Sequence, residues 1–536
     1  MKKNKKNQSV IRSAAAMSLG TLSSRILGMV RDMALAALFS RTATDAYLVA
    51  FRLPNMFRRL LGEGALSVSF IPVYIDQLVP KEGESEEETR DRANKLASGV
   101  FSLLLWVVSI VTVLGVLFME PLIEFLVSGK GYAAIPGKIE TTIVLGRWMF
   151  GYLFLVTQYA YFMGILNAHK RFLLPAIAPA FFNLVFIAFT FLPKSWGSVE
   201  GQTLAYGVLV GGFVQMAFVF FPLWKMGYLP RFRWRWKVGG VGLILKNMVP
   251  GLLGMGVLQL MGLLNLNFAS RLPEGSHTYI YFADRILEFP QSILAISLGA
   301  ALLPTLSQYW SEGKVDELLK VGQKHIRILL FLALPSAVGM YVLALPIVEV
   351  LFVRGEFDHK DAVLTAQVIQ VYSLLLIFSG VHRVLVPNFY AIKNTWLPAV
   401  TTTIGLACHA VLAPLLMGDW GLQGLVFSMV ISSMINLLIL LMAYRKMIGP
   451  FALFDLFKST LKLGPALVSL WLAIDFLYKI LNTFLPDWMG FNLGEALSLL
   501  LTIVAGVGIY FLVNMMVKQE ETQDVLVRLQ RKLGRK

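Results

Sequence analysis

The chain has 536 residues, 57% of them hydrophobic and only 15% charged, with a mean hydropathy of +0.67. Soluble globular chains run near 45–50% apolar and about 25% charged, so this composition excludes a string of soluble domains and requires lipid contact. The formal net charge of +16 falls mostly in short connections between apolar runs, the distribution expected of a membrane protein rather than of one that binds nucleic acid.

In chain order, the N-terminus reads MKKNKKNQSV and continues into small and polar residues, with no A-x-A-like site before Arg25 and Arg31. This pattern predicts a retained first span rather than a cleaved signal peptide, with a cytoplasmic N-terminus. Apolar runs of about 20 residues predict an all-α polytopic membrane protein of about fourteen transmembrane helices. They lie near 10–39, 45–77, 95–126, 140–166, 173–193, 202–226, 241–270, 278–309, 322–352, 362–391, 397–417, 422–446, 461–481 and 493–517. An even number of spans returns the C-terminal VRLQRKLGRK to the cytoplasmic side and places Lys170-Arg171, Arg231 to Lys237 and Arg445-Lys446 there too. About thirty Lys and Arg then lie in cytoplasmic segments and about seven outside, the asymmetry of the positive-inside rule.

An internal repeat is visible. PLIEFLVSGKGY (121–132) matches PIVEVLFVRGEF (346–357), LNAHKRFLLPA (166–176) matches FYAIKNTWLPA (389–399), and SVSFIPVY (67–74) matches GAALLPTL (299–306). The offsets are about 225, 223 and 232 residues, so the first twelve spans read as two six-helix lobes, 1–227 and 228–450. Each lobe holds an even number of spans, so both share one orientation and the repeat axis runs along the membrane normal, with a central cavity expected between the lobes. The last two spans and the tail, 451–536, have no partner in the repeat.

The first two spans of the first half, and the eighth span, carry unusual charge. The first holds Arg25, Arg31 and Asp32; the second holds Arg52, Arg58, Arg59 and Glu63; the eighth holds Asp284, Arg285 and Glu288. A lipid-facing arginine at mid-depth costs at least about 2.5–3.5 kcal/mol, so these groups face water, each other or a ligand. Structural pairing with the carboxylates is one reading, and Arg59 and Glu63 have the i, i+4 spacing for it. Cations outnumber carboxylates, however, and guanidinium groups suit an anionic ligand, a diphosphate best of all, because they stay charged and bind phosphate oxygens bidentately. Arg58 and Arg59 point about 100° apart on a helix, so at most one of them is central. Pro54, Pro290, Gly62 and Gly64 interrupt these helices and offer places to bend.

Other candidates weaken. RFRWRWK (231–237) reads first as an interfacial anchor and second as an anionic-lipid contact. His382-Arg383 and His409 lie in spans and read as satisfied polar packing. The single cysteine, Cys408, sits in an apolar run, and no histidine has metal-ligand spacing, so no metal or cofactor is expected. With neither a Walker A loop, a nucleophile elbow nor a paired-carboxylate motif, the chain does not read as an enzyme.

At SSRILGMVRD, TDAYLVAFRLPN, RRLLGEGALSVSFIPVY and YFADRILEFPQSILAISLGAALLPTLS, the chain resembles the MurJ (MviN) lipid II flippases of the MOP exporter superfamily. The resemblance runs over essentially the whole length. It implies two lobes about a cationic cavity, alternating access that carries the undecaprenyl-diphosphate-linked muropeptide from the cytoplasmic to the periplasmic leaflet, and a tail groove formed by the last two helices. It also implies a bacterial cytoplasmic-membrane location, contact with membrane lipids, and partners among cell-wall synthesis proteins. Carried over by motif, the functional positions are Arg25 of S-R-[IV]-L-G, Arg31 beside Asp32, Asp45 of A-T-D-A, Arg52 before L-P-N, Arg58 of the R-R pair, Glu63 of E-G and Arg285 of A-D-R. The same features fit a related exporter of another polyprenyl-diphosphate-linked oligosaccharide. A drug-cation antiporter would favour acidic cavity residues, and a membrane transferase would need grouped carboxylates or histidines at headgroup level.

Overall fold

The computed structural model describes residues 2–60, 66–234, 238–298, 302–485 and 493–523. They form twenty α-helices. The helices are α1 (Lys2–Leu38), α2 (Arg41–Arg58), α3 (Leu66–Leu78), α4 (Glu86–Leu117), α5 (Met119–Leu126), α6 (Lys130–Ala133), α7 (Lys138–Phe150), α8 (Tyr152–Ala168), α9 (Leu173–Thr190), α10 (Gln202–Met226), α11 (Val241–Ala269), α12 (Ser276–Leu298), α13 (Leu302–Ser311), α14 (Val315–Val342), α15 (Ala344–Phe352), α16 (His359–Ala391), α17 (Trp396–Met447), α18 (Leu453–Lys462), α19 (Gly464–Phe484) and α20 (Leu493–Met516).

Where the structure describes them, the predicted spans fall on helix. Among the described residues nine helices are long and apolar enough to cross a membrane, which makes the chain a multi-pass membrane protein. One of the nine is the 52-residue α17, which covers two predicted spans and breaks from helical geometry at Gly421 (φ 52°, ψ −126°). The left-handed φ there is open to glycine without a Cβ penalty. The helices α1, α2 and α12 are not among the nine, and these are the spans marked out above by their arginines.

Helix ends follow local chemistry. Ser85 Oγ accepts from Glu88 N while the Glu88 carboxylate accepts from Ser85 N, a reciprocal cap that starts α4. Asp358 and Asp361 start α16 in the same way. The sequence repeat reappears in backbone geometry. After α8, Lys170 takes φ 59° and Arg171 N donates to Leu166 O; after α16, Lys393 takes φ 61° and Asn394 N donates to Phe389 O. These are two helix-ending motifs of one design, about 223 residues apart. Likewise Phe118 (φ −98°, ψ 21°) joins α4 to α5 as Leu343 (φ −93°, ψ 14°) joins α14 to α15.

The chain divides into two compact units. The first runs to Thr278 and adds Arg354–Glu356. In it α9 packs on α1 and α10, α8 packs on α3, α4 and α10, α2 packs on α7 and α8, and α11 lies on α3. Its core is an aromatic chain, Phe186–Tyr47–Phe51–Tyr152–Phe182, with ring centroids 5.4–5.7 Å apart. The unit extends past the repeat boundary at 227/228 because α11 joins it. In the second unit α16 packs on α13, α14, α15 and α17, while α19 packs on α14 and α20, and the Tyr510 hydroxyl of α20 donates to Phe331 O of α14 at 2.8 Å. Large apolar side chains on the outer faces of α4 and α20, such as Val113, Leu117, Leu500 and Val504, are exposed and suit contact with acyl chains.

Candidate functional site

The arginines that read alike in the sequence occupy different environments. Arg25 is exposed on α1. Arg31, on the same helix, is 7% exposed, and its guanidinium donates to Asp32 Oδ1 at 2.8 and 3.0 Å and to Asn183 Oδ1 at 3.1 Å. Asn183 on α9 in turn donates to Ser24 O, and Phe186 lies under the guanidinium at 5.6 Å. Asp32 is 1% exposed. The pair is a buried tie between α1 and α9.

Arg52 and Arg58 on α2, and Arg59 just after it, are half-buried. Arg58 Nε donates to Asn55 Oδ1 at 2.9 Å, so the asparagine of L-P-N orients it. The Arg52 guanidinium rests against Gly262 of α11, where any Cβ would overlap it. The Glu63 position, with Gly62 and Gly64, lies outside the described residues, as do 235–237 of RFRWRWK.

Asp45 sits elsewhere, among donors. Its Oδ2 accepts from Lys138 Nζ at 2.8 Å and Gly275 N at 2.9 Å; its Oδ1 accepts from Thr278 N at 3.0 Å and Thr278 Oγ1 at 2.6 Å. The Lys138 ammonium also lies 4.5 Å from the centre of the Tyr132 ring. The carboxylate thus joins the start of α2 to the start of α7 and to the α11–α12 connection. Ser270 reinforces the same junction, accepting from Tyr132 N and Gly129 N.

In the second unit, Arg285 is half-buried and donates to Glu288 Oε2 at 3.1 Å and to Tyr281 Oη at 2.9 Å. Asp284 is half-buried beside it, and Glu288 is exposed. His409 pairs with Ser428 at 2.9 Å within α17, and His382 of α16 pairs with Asn436 of α17 at 3.4 Å, so both histidines have polar packing partners. No group of His, Cys, Asp or Glu among the described residues has the arrangement of a metal site.

What this can do chemically follows from the exposed and half-exposed guanidinium groups. Arg25, Arg52, Arg58 and Arg285 are exposed or half-buried and carry planar forks of the kind that hold phosphate oxygens, while Arg31 is buried with its own carboxylate. The family model described as lipid II flippase MurJ matches residues 35–518. The chain belongs to this family. A relative from Bdellovibrio bacteriovorus, described as a probable lipid II flippase MurJ, is 47% identical over 437 residues, 82% of each chain. The fold resembles a solved lipid II flippase MurJ in an inward closed conformation, with a TM-score of 0.74 at 24% identity, covering 94% of this chain and 99% of that one. It also resembles an inward-facing multidrug resistance MATE transporter of the MOP superfamily, with a TM-score of 0.65 at 14% identity, covering 83% and 99%. The MurJ family is one of transporters, not of catalysts.

Sequence reasoning missed Lys138 and Asn183. Lys138 reads as an ordinary loop lysine, yet it is the first residue of α7, where a cation opposes the helix dipole. That conflict was the available signal. Asn183 is a lone amide in the apolar run of α9 and gave no indication of its partner.

Proposed function

We propose that the chain moves lipid II from the cytoplasmic to the periplasmic leaflet of the bacterial cytoplasmic membrane by alternating access. It does so through fourteen spans arranged as lobes 1–227 and 228–450, with 451–536 appended and both termini cytoplasmic. The carrying observation is the family match over residues 35–518, and Arg25, Arg58 and Arg285, on helices rich in charge, support the reading through the sequence resemblance. Arg25, Arg52, Arg58, Arg285 and Glu63 serve the diphosphate headgroup; Arg31 with Asp32, and Asp45, hold the scaffold that positions them. Asp284, Glu288 and Arg59 set the charge balance around those cations. The chain alters no covalent bond of its cargo, and cell-wall synthesis proteins are its functional partners.

Depletion of the protein, followed by measurement of lipid II in each leaflet, tests this. Accumulation on the cytoplasmic face is expected; accumulation on the outer face would contradict the direction. Purified protein that chemically altered labelled lipid II would contradict the absence of catalysis.

A further inference from the structure

The charge on the second unit is not confined to Arg285. Arg383 stands on α16, eight residues before the helix ends and so about 12 Å along the axis from that end. It is exposed, and its guanidinium donates to Gln291 Oε1 of α12 at 3.0 Å. Gln291 Nε2 donates in turn to Ser379 Oγ at 3.3 Å, one turn before Arg383 on α16. Among the described residues no carboxylate lies within ion-pair distance of Arg383, whereas Arg285 has Glu288 at 3.1 Å.

An arginine at membrane depth is costly against lipid; Glu288 acts on Arg383 through space without an ion-pair contact, and Gln291 and Ser379 aim the guanidinium toward the helix that carries Arg285 and Glu288. At the offset of about 223 residues that aligns Lys170 with Lys393, Arg383 corresponds to the buried Ala160, so the repeat supplies no counterpart cation in the first half.

Six residues separate Arg285 from Gln291 on α12, about 9 Å along the axis. That exceeds the span of one diphosphate, so an anion held at Arg285 leaves Arg383 for a second one. Gln291 occupies one edge of the fork, and the remaining N–H groups can bind a carboxylate bidentately. We propose that Arg383, set by Gln291, contacts a carboxylate of the peptide carried by the lipid-linked substrate. The assignment rests on the lipid II reading above.

The test uses full-length protein in nanodiscs and measures binding of lipid II, of lipid II with its peptide carboxylates amidated, and of undecaprenyl diphosphate. Failure of the wild type to bind lipid II would sink the flippase reading itself. With that binding present, Arg383→Ala should weaken lipid II by about tenfold or more, the loss of one charge-assisted contact. Amidation should weaken the wild type equally and leave Arg383→Ala unaffected, with undecaprenyl diphosphate within about twofold of wild type throughout. Arg383→Lys, which keeps the charge without the fork, should fall between them. Unchanged lipid II binding in Arg383→Ala, an equal loss on undecaprenyl diphosphate, or continued sensitivity of Arg383→Ala to amidation each overturns the proposal. Thermal unfolding of both variants, expected to match wild type, separates a lost contact from a damaged fold.

Discussion

Lys138 Nζ lies 2.8 Å from Asp45 Oδ2, and both side chains are 1% exposed. Removing one partner of such a pair leaves an uncompensated buried charge, at a cost of about 3–5 kcal/mol. The two partners are not equivalent, because Asp45 keeps Gly275 and Thr278 as donors when Lys138 is lost. Asp45→Ala strands the ammonium against the Tyr132 ring alone. Asp45→Ala should therefore lower thermal stability more than Lys138→Met, and the double variant should be less damaged than the two single losses added together. Denaturation of the purified proteins measures all three; strict additivity would show that the pair is not coupled.

The proposed function separates the arginines into a structural group and a ligand-facing group, and that separation is measurable. Arg31 is buried with Asp32 and Asn183, so Arg31→Ala should destabilise the first unit by about 3–5 kcal/mol. Arg31→Lys should rescue it only in part, for want of a planar fork. Arg25→Ala and Arg58→Ala should leave stability within about 0.5 kcal/mol while abolishing lipid II translocation. The checks are unfolding in detergent and complementation of depleted cells. Normal stability in Arg31→Ala would remove its structural assignment.

Helix positions were legible because a span needs about 20 apolar residues in any environment rich in lipid, and the repeat was legible because PLIEFL and PIVEVL encode the same kink at Phe118 and Leu343. The sorting of Arg25 from Arg31 was partly legible too. Six residues on a helix rotate by about 240°, leaving the two side chains about 120° apart, so one environment for both was never available. The partner of Asp45 was not legible. Lys138 is 93 residues away in sequence, and only packing of α2 against α7 brings them together. Arg383 reads with His382 as polar packing for a related reason, since its donor–acceptor link to Gln291 crosses two helices with no shared motif.

Acid sensitivity should arise at the connection before α10. Burial alone would raise the Glu200 carboxyl, but hydrogen bonds from Lys194 and from the side chain and backbone of Ser40 outweigh it and hold the group below the usual carboxylate range. Since Ser40 caps α2, Glu200 braces the start of that helix. A lowered folded-state value stabilises the fold above the unfolded glutamate pKa of about 4.3, and the contribution fades as pH falls through the lower folded value. The stability difference between wild type and Glu200→Gln should be constant above about pH 5 and shrink below about pH 4. A difference that grew on acidification would have the wrong sign.

Gly262 offers the sharpest test of Arg52. A Cβ at Gly262 would overlap the Arg52 guanidinium, whereas one at Gly256 on the same helix meets nothing within 4 Å. Both substitutions to alanine gain the same helix propensity, about 1 kcal/mol at most, so propensity cannot separate them. Gly262→Ala should displace Arg52 and reduce lipid II translocation by about tenfold or more, equivalent to about 1.4 kcal/mol. Gly256→Ala should be neutral. If Arg52 acts through its position against α11, then Gly262→Ala combined with Arg52→Ala should be no worse than Arg52→Ala alone, because the group being displaced is already gone. A further loss in the double variant would instead mean that α11 itself had shifted, and that Gly262 serves helix packing rather than the arginine.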